Sequence, residues 1–229
     1  FALGRVLAAS PEQLAAHLGE ETVEEETLAA MVERRAAFLS AYQNDVYAAR
    51  YRDQLHNLRA RLPEDAQRAA ARSLFKLMAY KDEFEVARLH TDARFADELK
   101  TQFEGDFKVS YHFAPPLISR KTDARGRPEK HTFGAWMTPA LKLLARMKGL
   151  RGTTFNPFRY HGEARMHRDL LAWYETLLPR VASAWSTETQ EACMQVLSAP
   201  DGIRGYGPVR QQAAKVAKQD VSELMKTLS

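Results

Sequence analysis

Cysteine is nearly missing from this sequence: 229 residues hold one, Cys193. One thiol excludes an internal disulfide, a structural zinc site and an iron–sulfur cluster, and suits a reducing compartment. Glycine and proline are sparse, at 11 and 10 residues, and no repeat or low-complexity tract appears, which excludes collagen-like and disordered classes. No apolar run approaches the ~20 residues of a membrane span, and no signal peptide is evident. The expectation is a cytoplasmic chain with no membrane partner. There is no H-E-x-x-H motif and no G-x-S-x-G elbow. His161 and His167 are six apart, so a helix sets them on different faces. No metal site and no catalytic residue are assigned.

Charge of one sign is also locally absent. Residues 12–33 carry seven Glu and no Lys or Arg, whereas residues 117–152 carry nine Lys/Arg against Asp123 and Glu129. This asymmetry, inside a net charge of +4, points to docking of unlike surfaces within one assembly or between partners. The arginines of the basic window interleave with Phe133 and Trp136, but no nucleic-acid module pattern accompanies them, so no nucleic-acid partner is expected. With 45% hydrophobic residues, the chain can bury one sizeable core.

Most of what is present reads as helix. Ser10-Pro11-Glu12-Gln13 and Thr22-Val23-Glu24-Glu25 are capping boxes. From the second, apolar groups recur at Leu28, Met31, Leu39, Tyr42, Val46, Leu55, Leu58 and Leu62, mostly in three- and four-residue steps, predicting one long buried face closed by Pro63. Further helices are predicted from Glu64 to about His90, in one or two pieces, and from Asp92 to Phe103. Others run from Thr138 to Gly149, from His161 to about Ala184 with a kink at Pro179, from Glu188 to Ser198, and from Pro208 to Leu228. "FKVSYHF" at 107–113 alternates and is rich in aromatic and β-branched residues. A second short strand around Lys130–Gly134 pairs with it, and His112 and His131 are candidates to face each other. The fold class is mainly α, a helical domain with one small β-hairpin at about residues 107–134.

Two stretches invite a functional reading. In "LFKLMAYKDEFEVARLH" (74–90), Leu74, Leu77, Met78, Phe84 and Leu89 are placed toward the core. Lys81, Asp82, Glu85 and Arg88 then form a solvated, salt-bridged rim, or Lys81 and Arg88 grip an acidic ligand. "IRGYGPVR" (203–210) is a glycine-rich turn entering a helix. Gly205 and Gly207 permit backbone angles that other residues resist, and a helix N-terminus flanked by Arg204 and Arg210 is a candidate anion site. The plainer reading is a tight turn with Tyr206 packed inward. The anion-binding candidates are Lys81, Arg204, Gly205, Gly207 and Arg210. Cys193, beside Met194, Val196 and Leu197, is placed as a core thiol.

The strings "AYQNDVYAARY" (41–51), "LFKLMAYKDEFEVARLHTD" (74–92), "QFEGDFKVSYHFAPPLISR" (102–120), "FGAWMTPALKLLARMKGLRGTTFNPF" (133–158) and "IRGYGPVR" (203–210) follow one another in the chain. Together they resemble the C-terminal domain of the fused bacterial indolepyruvate:ferredoxin oxidoreductases, over nearly all of residues 30–229. "FALGRVLAA" at the start resembles a segment leaving a preceding γ-type oxidoreductase domain, so residues 1–29 are expected to be a linker or tail and 30–229 the mainly α domain. The resemblance implies a parent enzyme that oxidatively decarboxylates arylpyruvates and other 2-oxoacids to acyl-CoA. The parent would use thiamine diphosphate, magnesium, 4Fe–4S clusters and coenzyme A, with ferredoxin as electron partner and a homo-oligomeric assembly. None of those cofactors is expected on this chain. Its implied role is structural, docking on the parent's other domains. The alternative is a module that binds the anionic part of coenzyme A or the 2-oxoacid.

Overall fold

A computed structural model describes residues 26–103, 105, 108–113, 131–160 and 162–228. The capping boxes at Ser10 and Thr22 lie outside the described residues, as does the connection 114–130. Among the described residues there are nine α-helices and one two-stranded antiparallel sheet, so the chain is mainly α with a small hairpin.

The expected long segment before Pro63 is two helices, α1 (Leu28–Tyr42) and α2 (Asp45–His56). Asn44 breaks it: its side chain leaves the helical path and accepts a hydrogen bond from Tyr47 N at 2.9 Å, the usual behaviour of an Asn N-cap. The break resets the helical phase. Ala48, Tyr51 and Leu55 therefore turn inward, and Val46, expected in the core, is 78% exposed. Thr27 caps α1 by accepting from Ala30 N at 3.2 Å.

α3 (Glu64–Met78) is the central helix. Ala66, Ala70, Leu74, Leu77 and Met78 recur at helical spacing and are all buried, so one face meets α1, α2, α7 (Gly162–Ala184) and α8 (Gln190–Ser198). The alanines let those neighbours approach closely, and each fully buried Leu contributes about 1.5–3 kcal/mol. Glu64 and Asp65 in the first turn suit the helix dipole. α7 runs through Pro179 as a single helix. α9 (Gly207–Thr227) closes this main core with Ala214, Val221 and Met225.

A smaller second cluster lies around the hairpin. α4 (Glu83–Thr91) is followed by α5 (Ala93–Gln102), then β1 (Tyr111–Phe113), β2 (His131–Phe133) and α6 (Met137–Arg146). Ala87, Tyr111 and Leu141 are its buried residues. The register pairs Tyr111 with Phe133, His112 with Thr132 and Phe113 with His131. His112 and His131 are therefore not opposite each other, and His112 Nδ1 instead meets Thr132 Oγ1 at 3.1 Å. The first strand is shorter than expected, and Leu89 is 38% exposed rather than core.

Candidate functional site

The stretch 81–88 is not a solvated rim. Asp82 is the N-cap of α4, with Oδ1 accepting from Glu85 N at 2.8 Å. The same carboxylate receives Arg151, through Nε to Oδ2 and a terminal nitrogen to Oδ1, both at 2.6 Å. Arg151 comes from the loop after α6 and the short 3-10 turn Met147–Leu150. Its guanidinium lies 3.8 Å from the centre of the Tyr42 ring and donates to the Tyr42 carbonyl. The side chains of Arg151 and Asp82 are only 6% and 15% exposed. Glu85, expected on the wet face, is 3% exposed and takes both nitrogens of a bidentate Arg88 at 2.7 and 2.8 Å. Arg88 in turn lies over the Phe38 ring at 5.4 Å. Two ion pairs and their aromatic lids thus bind α4 to the C-terminal end of α1. Lys81 is exposed and just precedes the Asp82 cap.

The turn 203–210 has the backbone its glycines foretell: φ is +87° at Gly205 and +55° at Gly207. A Cβ on Gly205 would also sit 2.9 Å from Val209 Cγ1. Tyr206, expected to pack inward, is 71% exposed, because the two left-handed residues around it swing it outward. The helix N-terminus this turn presents is already met by a carboxylate. Gly207 N donates to Glu163 Oε1 at 2.8 Å, and Tyr80 Oη donates to Glu163 Oε2 at 3.0 Å. Burial and the Glu163 carboxylate both push the Tyr80 phenol up. His167, one turn beyond Glu163 on α7, stacks on the Tyr80 ring at 4.3 Å and 22°. Burial, aided by the nearby Arg210 and Arg168 charges, lowers His167 to about 3, so it is a neutral imidazole. Arg210 lies over the Tyr80 ring at 5.1 Å.

The structure brings part of the expected anion set together. Arg204 Nε donates to the Asp201 carbonyl at 3.0 Å. Lys76 Nζ donates to the carbonyls of Pro200 and Asp201 at 2.7 and 3.0 Å. Burial lowers the Lys76 pKa, with Arg204 and Arg210 adding to the effect against Asp201. Lys76, Arg204 and Arg210 therefore surround the turn, while Lys81 lies by the Asp82 cap. Arg210 Nε and His167 Nδ1 are buried with no hydrogen-bond partner among the described residues. An incoming anion would find three cations here, and it would have to displace Glu163 to reach Gly207 N–H.

Sequence reasoning missed Arg151, Glu163, Tyr80, His167 and Lys76. Arg151 is 69 residues from Asp82 and Glu163 is 44 from Gly207. No local spacing encodes either contact, and only the fold makes them neighbours.

Residues 28–223 match the family of unknown function DUF6537, and the chain belongs to that family. No curated protein and no solved structure matches it.

Proposed function

We propose that the chain is the structural and interaction domain of a larger 2-oxoacid oxidoreductase, of the kind its sequence resembles, in which the parent's other domains perform the chemistry. The supporting observation is a large apolar groove on its surface. α8 and α9 bound a groove of about 880 Å³ lined by Val209, Ala213, Val216, Ala217 and Leu224 among others. Val209 is 68% exposed, and Tyr206 beside it 71%. Single exposed apolar residues are ordinary, but a contiguous lined groove is the form protein contacts take. The charges of the Asp82–Arg151 and Glu85–Arg88 pairs and of the Glu163 seal are meanwhile used within the domain.

The iron–sulfur clusters of such a parent do not fit this chain. A cluster needs several thiolates, and Cys193 is a lone thiol with no exposed surface. Thiamine diphosphate supplies the electron sink for decarboxylation, and no residue set on this chain is assigned to hold it. The test is turnover. The 229-residue chain, supplied with thiamine diphosphate, magnesium and coenzyme A, is expected neither to decarboxylate indolepyruvate nor to reduce ferredoxin. The parent without residues 30–229 is expected to lose activity or solubility. Turnover by the chain alone overturns the proposal.

A second reading rests on the buried, unpartnered Arg210 Nε beside Lys76 and Arg204: a site for the phosphate groups of coenzyme A or the carboxylate of a 2-oxoacid. Calorimetry with coenzyme A tests it. Binding that weakens in the Arg204→Ala, Arg210→Ala double variant supports the reading, and no heat with the unaltered chain removes it.

A further inference from the structure

Residues 131–160 contain five cations and no Asp or Glu. Three of the cations are engaged. Lys148 Nζ donates to the Ala41 carbonyl at 2.6 Å, Arg159 donates to the Gly152 carbonyl at 2.8 Å, and Arg151 holds Asp82. The other two, Lys142 and Arg146, sit one helical turn apart on α6. Both are exposed, and neither has an ion pair or hydrogen bond among the described residues. Trp136 and Leu143, seven residues apart and thus on one side of the helix, are 68% and 62% exposed. The opposite side, with Met137, Leu141 and Leu144, packs in the hairpin cluster. α6 therefore turns outward a face that joins two large apolar side chains to two unspent cations.

Such a face is complementary to an acidic, amphipathic segment, and the chain carries one. Residues 12–21 hold Glu12, Glu20 and Glu21, no Lys or Arg, and Leu14 and Leu18 at a spacing of four. The described chain begins at Glu26, five residues after Glu21 and two before the start of α1. α1 spans about 22 Å, and its far end, Tyr42, meets Arg151 just beyond α6. With Leu14 to Glu21 helical, about 11 Å, and the five residues from Glu21 to Glu26 extended, about 17 Å, the segment reaches about 28 Å, somewhat more than the length of α1. We propose that the acidic segment 12–21 docks on the outward face of α6 in the same chain. In this docking Leu14 and Leu18 cover Trp136 and Leu143, and the glutamates pair with Lys142 and Arg146.

The test uses the full 229-residue chain and the fluorescence of Trp136, isolated by subtracting the Trp136→Phe variant. Salt is raised from about 0.01 M to about 1 M, over which the Debye length falls from about 30 to about 3 Å. The expected result is a Trp136 emission that lies to the blue at low salt and shifts to the red at high salt. Charge reversal of the segment (Glu12→Lys, Glu20→Lys, Glu21→Lys) removes the low-salt blue shift, and so does reversal of the helix (Lys142→Glu, Arg146→Glu). Combining the two sets restores it. Lys142 and Arg146 are exposed, and far-UV circular dichroism confirms that each variant is folded. A Trp136 emission that is indifferent to salt and to both reversals overturns the proposal. A shift that grows with protein concentration also overturns it, because the segment then comes from a second copy.

Discussion

Replacing Arg151 by Met should cost about 3 kcal/mol of stability, far more than its place in an irregular loop would suggest. The guanidinium is 6% exposed and satisfies both oxygens of Asp82, whose side chain is 15% exposed. Removing one partner of a buried pair costs about 3–5 kcal/mol, because the surviving charge stays desolvated. The low end applies here. Asp82 keeps one donor, the Glu85 N–H at 2.8 Å, and retains some solvent contact. That figure includes the lost stacking over Tyr42, itself worth about 0.5–2 kcal/mol. For a chain of this size, about 3 kcal/mol lowers Tm by about 6–12 °C. Urea and thermal melts measure the loss, and a double-mutant cycle with Asp82→Asn isolates the pair. The Asp82→Asn, Arg151→Met double variant should recover much of the loss, since neutralising both partners removes the orphaned charge. A loss below about 1 kcal/mol for Arg151→Met, the value for an exposed pair, would refute the reasoning.

Three further outcomes follow from the same geometry. Gly205→Ala should destabilise more than Gly207→Ala in thermal melts, because both have positive φ but only the first places its Cβ 2.9 Å from Val209 Cγ1; Val209→Ala should narrow the gap. Leu77→Ala should cost about 2–5 kcal/mol and Phe84→Ala about 3–5 kcal/mol by urea titration, and Glu85→Ala should also exceed 1 kcal/mol, since its carboxylate is buried on Arg88. His167 makes stability fall in acid: the unfolded chain binds its proton below about pH 6.5, the folded chain only near pH 3, so between those values the unfolded state holds more protons and stability rises with pH by up to about 1.4 kcal/mol per unit. In Tm measured from pH 7 to pH 4, the His167→Gln variant should show a flatter slope than the unaltered chain, and equal slopes would remove this assignment.

Local signals carried much of the fold. The Asp92 cap, the Gly-Tyr-Gly-Pro entry to α9, the short His131–Phe133 strand and the periodicity of α3 each depend on residues within a turn or two. Their structural consequences appear where the sequence puts them. The Asn44 break was written in the sequence just as locally. It was obscured because Tyr42 and Val46 kept the helical step across it, and apolar spacing outweighed a single capping residue. The site was less legible. Charge patterning placed Glu85 on a wet face because the i,i+3 and i,i+4 rules describe a helix in isolation. Whether that face meets water depends on Phe38 and Tyr42 from α1 and on Arg151 from a distant loop. The glycine turn was recognised from its own residues, whereas Glu163, which occupies its N-terminus, was out of reach of any local pattern.

The burial of Cys193 gives this chain a built-in clock. The thiol has no exposed surface, lies 3.9 Å from the Val181 carbonyl between α7 and α8, and is pushed up in pKa by burial. A thiol reagent can react only after that helix seam parts. In the regime where closing outruns labelling, the modification rate divided by that of an unfolded control is the equilibrium constant for opening. As this is the only sulfhydryl in the sequence, no second site blurs the reading. Labelling under native conditions then separates local parting of α7 from α8, which urea barely affects, from global unfolding, whose rate climbs with urea. A fluorophore attached to a newly introduced surface cysteine would, for the same reason, enter at one place only.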